Sequence, residues 1–298
     1  MPEGDTIHLA RQRLQPVLEH SVVRRFWAGK LRGRRPRSGQ TITAVRAHGK
    51  HLLIDFANNL TLQVHLGVAG WWTAHPDLGD DDETFQRFRR NPRLRLYIAT
   101  DQGVATCYSA PTIQTFVRTD EPTDLTPLTN LGPDLCVDED QRGQVAEEAL
   151  TRLRQRLSPD DLVADALLDQ TVAAGVGNVY KSETLFLERL QPFAPIGELS
   201  DDVVLALFTT ASRLLWRNTQ TPAEPRTTTP HRLAAARSQG RVFVYQRHRA
   251  PCRRCQTPVE RSYQGRYGRS TYWCPRCQPD ERPASLPTEG PEPGKEQL

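Results

Sequence analysis

The sequence predicts an α+β chain of several domains: an N-terminal antiparallel β-sandwich with a flanking helix, a helical second domain, and a small C-terminal β-hairpin built on cysteines. Three observations carry this reading. Short runs of apolar residues at strand spacing follow one another between residues 22 and 108. Over residues 147–216 the apolar spacing becomes helical. Near the end, two Cys-x2-Cys pairs stand 18 residues apart.

The elements follow in order. Ile7, Ala10, Leu14, Val17 and Leu18 fall on one helical face, with Asp5 or Thr6 as the N-cap, and Pro16 inside that pattern should kink or break the helix. Strands are expected at 22–27, 41–47, 52–56, 60–66, 68–73, 94–99 and 104–108. The clearest is 60–66, where Leu60, Leu62, Val64 and Leu66 alternate with Thr61, Gln63 and His65. Asn58-Asn59 reads as a hairpin turn. The pattern changes near Gly132-Pro133, and the helical stretch is interrupted at Ser158-Pro159 and at Pro192 and Pro195. The expected units are therefore a sandwich domain over 1–132, a helical domain over 133–241, a cysteine module over 242–278 and a disordered tail over 279–298. Within the second unit, the polar, proline-containing stretch 217–241 reads as a mobile loop.

Composition narrows the function. No apolar run approaches the ~20 residues of a membrane span, and the acid-containing start does not read as a signal peptide, so a cytoplasmic monomer is expected. The net charge is only +4, but it is unevenly placed. Nine basic residues and no acid lie between His20 and Ile54, among them Arg34 and Arg35. Ten arginines against one acid lie between Arg232 and Arg269. Such stretches suit a polyanion, most simply nucleic acid. The chain has only four lysines, Lys30, Lys50, Lys181 and Lys295. Arginine stays charged where lysine can lend and recover a proton, so each retained lysine is a candidate for more than charge.

Four local motifs bear chemistry. Cys252, Cys255, Cys274 and Cys277 can surround one Zn2+ tetrahedrally, leaving no open position, so the ion would be structural. Disulfides are the other use of four cysteines, and a cytoplasmic setting disfavours them. Between the pairs, two strands at 259–263 and 270–273 with Gly265 and Gly268 in the turn would present Arg266 and Arg269. In LLDQTVAAGVGNVYKSETLF, Gly175 and Gly177 interrupt a helix, and a fresh helix from Asn178 would turn free N–H groups outward, as a phosphate requires. The start, MPEGDT, becomes a secondary amine at Pro2 once Met1 is removed, with Glu3 beside it and Gly4 allowing close approach. An α-amine titrates near ~8, so an unprotonated fraction is available for Schiff-base chemistry at neutral pH. Gly49-Lys50 sits at the mouth of a strand, where Lys50 could act as a second acid.

Together these pieces resemble the formamidopyrimidine-DNA glycosylase and endonuclease VIII family, from Pro2 to about Gln278: PEG, GK, the helix–two-turn–helix motif and the zinc hairpin ending GRSTYWCPRC occur in the family's order. The resemblance implies a bifunctional enzyme of base excision repair, a DNA glycosylase and abasic-site lyase that flips an oxidised base from damaged DNA. It makes Pro2 the nucleophile at C1′, Glu3 the general acid–base at the sugar, Lys50 the proton donor in β-elimination, Arg269 the residue for δ-elimination and phosphate binding, and Asn178 a phosphate holder. Arg34, Arg35 and Val68 complete the expected DNA contacts. PEGDT and YSAPTIQTF are more similar to the endonuclease VIII branch, which prefers oxidised pyrimidines; formamidopyrimidine or 8-oxoguanine specificity is the alternative. Gly67, Val68 and Ala69 stand where relatives place bulky wedges, and Asn130 where some carry arginine. A preference for single-stranded or bubble DNA would follow. A non-catalytic damage sensor on the same scaffold, or a zinc-ribbon RNA binder, would share the charge and cysteines but not need the PEG and GK motifs.

Overall fold

The computed structural model describes residues 2–118, 128–220, 242–265 and 268–280. Most of the expected loop at 217–241, Arg266 in the hairpin turn, and nearly all of the expected disordered tail lie outside these residues.

The first helix, α1 (Gly4–Leu18), begins before the expected cap: Glu3 occupies that position, and the N–H of Gly4 is satisfied by the carbonyl of Gly175 at 2.9 Å. Pro16 does not break it, since the helix continues through it to Leu18. The carbonyl orphaned by the missing N–H belongs to Gln12, which is exposed and open to hydration, and the helix ends two residues later.

Nine further elements complete this half: β1 (Val23–Ala28), β2 (Ile42–His48), β3 (His51–Phe56), β4 (Leu60–His65), β5 (Trp71–His75), α2 (Asp82–Arg89), β6 (Leu94–Thr100), β7 (Gly103–Tyr108) and β8 (Thr112–Val117). They form two four-stranded antiparallel sheets, ordered β1-β6-β7-β5 and β2-β3-β4-β8. Ile7, Leu14 and Leu18 of α1 join Ile54, Leu62, Val64, Leu96, Ile98 and Trp72 in one buried core. The strand expected at 68–73 is corrected: residues 67–69 form a turn, and β5 starts only at Trp71. Gly67 there has φ +59°, a conformation that ends pleated pairing. Two elements have no counterpart in the sequence reading. Helix α2, capped by Asp81 accepting from the N–H of Thr84, lays Phe85 over Tyr97 and Trp27. Strand β8 pairs with β4 along its full length.

The second half contains α3 (Glu139–Arg156), α4 (Val163–Ala166), α5 (Asn178–Leu187) and α6 (Asp201–Thr219), which bury Leu153, Val176, Leu185, Phe208 and Leu215 among themselves. The hairpin of β9 (Glu260–Gln264) and β10 (Arg269–Trp273) pairs Gln264 with Arg269, and Gly265 and Gly268 both take positive φ in its turn. Its own core is small: Phe186, Val244, Val259, Tyr272, Cys252 and Cys274. The chain entering it is held by the buried carboxylate of Glu183, which accepts from the N–H groups of Phe243, Val244 and Tyr245 at 2.7–2.9 Å. Among the described residues no helix is long and apolar enough to cross a membrane.

Candidate active site

The turn at residues 174–177, between α4 and α5, is where the two halves meet. Gly175 takes φ +115°, and a Cβ on Gly4 would come within 3.0 Å of its Cα. Gly4 is thus needed for close backbone contact rather than for bending, since its own φ is helical. The β2–β3 turn reaches the same place. Gly49, at φ +54°, leaves no room for a Cβ against Ala174, and the Nζ of Lys50 donates to the carbonyl of Val176 at 2.6 Å. Asp134 ties the arrangement together. Its carboxylate accepts from the N–H groups of Gly49 and Cys136 and pairs with Nε2 of His8 on α1 at 2.8 Å. Burial opposes its ionisation, but His8 and the backbone donors outweigh that and hold it below the usual carboxylate range.

Glu3 occupies the position in which a phosphate was expected. Its carboxylate accepts from Gly177 and Val179 at 2.9 Å and from Tyr180 at 3.3 Å, so the free N–H groups at the start of α5 face this side chain. The expectation that they point outward for a phosphate is corrected for these three: an internal carboxylate accepts from them. Gly177 permits this approach, because a Cβ there would stand 2.5 Å from Cδ of Glu3. Complete burial raises the pKa of Glu3, only partly offset by Lys50 and the N–H donors. The result is a carboxyl group able to exchange a proton closer to neutrality. Pro2 is buried beside it.

Desolvation lowers the Lys50 ammonium to about 8; Glu3 resists the fall and Arg269 adds to it. Lys50 is thus poised to give up a proton near neutral pH. Two imidazoles that the sequence reading passed over lie within its field. Burial and neighbouring charges push His51 down to about 4, and burial then Lys50 lower His65. Both are neutral. Nδ1 of His65 accepts from the N–H of Gly67 at 3.2 Å, which puts its proton on Nε2 as a donor. Its place as a polar residue alternating along 60–66 was the available signal.

The hairpin supplies the other side. The charge of Arg269 is felt at both Lys50 and Lys181. Asn178, mostly buried, donates from Nδ2 to Oγ of Ser270 at 3.4 Å. Tyr245, also passed over, has its phenol pushed up to about 12 by burial and then by Glu3. Pro2, Glu3, Lys50, Asn178 and Arg269 therefore gather around one end of α5. Arg34, Arg35 and Val68 do not join them: the two arginines are exposed on the segment whose carbonyl at Arg34 accepts from Thr115, and Val68 is 66% exposed at the β4–β5 turn.

The four hairpin cysteines have Sγ atoms all within 4.8 Å of one another, with separations of 3.9 Å for Cys252–Cys277 and 3.4 Å for Cys255–Cys274. A tetrahedral thiolate site with metal–sulfur bonds of ~2.3 Å requires sulfur separations of about 3.8 Å. The donor set fits a metal ion, and among the described residues no fifth ligand joins the cluster. Cys107 and Cys136 are buried apart.

A two-sheet sandwich whose N-terminus meets a glycine turn of a helical domain, opposite a four-cysteine hairpin, defines a particular class of protein. Residues 1–111 match the formamidopyrimidine-DNA glycosylase N-terminal domain, and residues 131–227 match the formamidopyrimidine-DNA glycosylase H2TH domain. The chain is 36% identical over 294 residues to a probable endonuclease 8 2 of Streptomyces coelicolor, covering 95% of this chain and 96% of that protein. It is 33% identical over 285 residues to the DNA-(apurinic or apyrimidinic site) lyase Nei2 of Mycolicibacterium smegmatis, covering 93% and 99%. Among solved structures, the MutM (Fpg) protein of Thermus thermophilus superposes with a TM-score of 0.70 at 25% identity, over 94% of this chain and all of that one. The chain belongs to the formamidopyrimidine-DNA glycosylase/endonuclease 8 family.

Proposed function

We propose that the chain is a bifunctional DNA glycosylase and abasic-site lyase of base excision repair that acts on oxidised bases, oxidised pyrimidines in preference. The observation that carries this is the Glu3 carboxylate, seated on the start of α5 beside Pro2 and within the field of Lys50. With Met1 removed, the Pro2 amine attacks C1′ of a flipped nucleotide, and the glycosidic bond breaks with its electron pair leaving on the base, which takes up the proton released from the Pro2 nitrogen. The sugar ring opens, its oxygen takes a proton from the carboxyl of Glu3, and a cationic iminium remains. That cation acidifies the C2′–H bond. The Glu3 carboxylate takes the proton, and the 3′-phosphate leaves, with Lys50 as its proton donor. A second elimination, in which water takes the C4′ proton, breaks the C5′–O bond and expels the 5′-phosphate, whose charge Arg269 balances. Water then hydrolyses the iminium and frees Pro2.

Asn178 and the Nε2–H of His65 are donors for the phosphates flanking the lesion, Arg34 and Arg35 meet the backbone farther out, and Val68, small and exposed, enters the gap left by the flipped base. So small a wedge stabilises a vacated duplex stack poorly, which favours single-stranded or bubble substrates. The hairpin cysteines hold one structural Zn2+. The metal supplies folding energy to a module with little apolar core and takes no part in the steps above.

Borohydride trapping tests the reading. Protein confirmed by intact mass to start at Pro2 is mixed with oligonucleotides carrying an abasic site, thymine glycol, 5-hydroxycytosine or 8-oxoguanine, in duplex and single strand. Covalent adducts are expected on the abasic site and the two oxidised pyrimidines, and they should vanish when an extra residue precedes Pro2. The absence of any adduct would sink the reading; adducts chiefly on 8-oxoguanine would overturn the pyrimidine preference.

A further inference from the structure

The proposed reaction leaves Lys181 unused, yet it is fully buried, with none of its surface exposed. A buried ammonium is retained only where it is paired or fully hydrogen-bonded. Lys181 is both. Its Nζ donates to Oγ1 of Thr271 at 2.7 Å, Oδ1 of Asn178 at 3.1 Å and the carbonyl of Ser270 at 3.2 Å. An ammonium has three donors, and here each has a partner. One partner lies on its own helix, α5. The other two lie on β10, immediately beyond Arg269.

These contacts set two orientations. With Oδ1 of Asn178 held inward by Lys181, Nδ2 of the same amide is left to face Ser270 and the space beside it. With Ser270 and Thr271 held, the backbone that carries Arg269 is fixed against α5. The same side of the hairpin rests on Asp165 of α4: a Cβ on Gly265 would run into that carboxylate. We infer that Lys181 is a positioning residue that docks the hairpin on α5, so that Arg269 and the Asn178 amide address one phosphate of the reacting nucleotide.

Its protonation sets when the docking is complete. Burial pushes the Lys181 ammonium down to about 8. Asp165 on α4 and Glu3 at the N-terminus oppose that shift, and Arg269 on β10 adds to it. Below this value all three contacts are available. Above it the neutral amine keeps two N–H groups, and one contact is lost.

The inference rests on the lyase reading, and one experiment separates the two. An end-labelled abasic oligonucleotide resolves β- from δ-elimination products on either side of pH 8 for the full chain, Lys181→Arg, Lys181→Met and Thr271→Val. In the unmodified protein the δ/β ratio should fall as pH rises through about 8. Lys181→Arg should hold it flat, because a guanidinium stays charged. Lys181→Met should lower the ratio about tenfold at every pH, with borohydride trapping on the same abasic DNA kept within about twofold. Thr271→Val, which keeps the lysine and the core volume, should lower it about threefold and decides the matter alone if Lys181→Met fails to fold. A δ/β ratio unchanged in either Lys181→Met or Thr271→Val overturns the inference with the lyase reading intact, as does a Lys181→Arg profile that still titrates. An unmodified protein that traps no adduct removes the lyase reading and the inference with it.

Discussion

The two sides of the site are built on different foundations. Lys50 stands on the turn between β2 and β3, whose inward residues Val45, Leu52 and Ile54 belong to the large apolar core of the sandwich. Arg269 stands on a two-stranded hairpin whose apolar core is a handful of side chains. The first side is held by burial of hydrocarbon. The second is held by four thiols, the Glu183 carboxylate and the Lys181 ammonium. The contrast shows that a cation can be presented to one reaction centre by two kinds of stabilisation. They fail under different insults: heat and denaturant for the sandwich, chelators and proton concentration for the hairpin.

Removal of the metal should break this comparison most completely. A structural thiolate site contributes on the order of 10 kcal/mol. Chelation, or Cys274→Ser, should reduce strand cleavage by about a hundredfold or more while the main thermal transition of the sandwich stays in place. Calorimetry and an abasic-site cleavage assay on the same sample check both halves; loss of both transitions together would mean that the two sides are one cooperative unit.

Gly177→Ala strikes the junction between the sides. The added methyl would press on Cδ of Glu3, and such overpacking costs about 1–3 kcal/mol. Cleavage should fall by about tenfold or more as the carboxylate is displaced, because each 1.4 kcal/mol of lost transition-state stabilisation is about a factor of ten. Gly143→Ala on α3, where nothing lies within 4 Å of the new methyl, is the contrasting change. It should raise stability by about 0.5–1 kcal/mol with activity unaltered. Denaturant titration of the two variants distinguishes a site effect from a general glycine effect.

The smallest and most informative effect is a pair of opposed slopes. The pKa of Lys50 falls from 10.5 in the reference state to about 8 in the folded chain. Between those values the unfolded chain binds more protons than the folded one, so stability rises with pH across that window. The proposed β-elimination, with the protonated lysine as donor, should fall across its lower part. Melting temperature and cleavage rate measured in the same buffers should therefore diverge as pH rises through about 8. A cleavage rate that holds steady as pH rises through about 8 would show that Lys50 is not the donor.

The sequence reading succeeded where the signal was local. Alternation at Leu60, Leu62 and Val64 identified a strand, and paired Cys-x2-Cys motifs identified four cysteines clustered closely enough to hold a metal ion. The restart of a helix at Asn178 was visible in two glycines. It failed where partners are remote. Nothing near Glu3 announces that its acceptors will be met by residues 177–180, and nothing near Gly49 announces Asp134. Helix α2 escaped because it buries only Phe85 within a strongly charged run. No break falls at Pro16 itself, because the cost of a proline depends on whether the carbonyl it orphans can reach water, a property of the folded surface. Lys181 was conspicuous in composition, but its role depends on a strand about ninety residues away.

The three N–H groups gathered by Glu183 have a consequence for how such a protein can change. Helix α6 ends with Thr219 buried, and the chain is gripped again at Phe243. At each end described residues hold the chain: Leu215 of α6 lies in the helical core, and the N–H of Phe243 donates to Glu183. Lengthening a connection between fixed endpoints costs only about 0.6 kcal/mol per doubling. A longer connection between Gln220 and Val242 therefore costs little in chain entropy and leaves the Glu183 anchorage of the hairpin in place. Descent with modification can therefore alter the length of that connection while Glu183 keeps its hold on the chain that enters the hairpin.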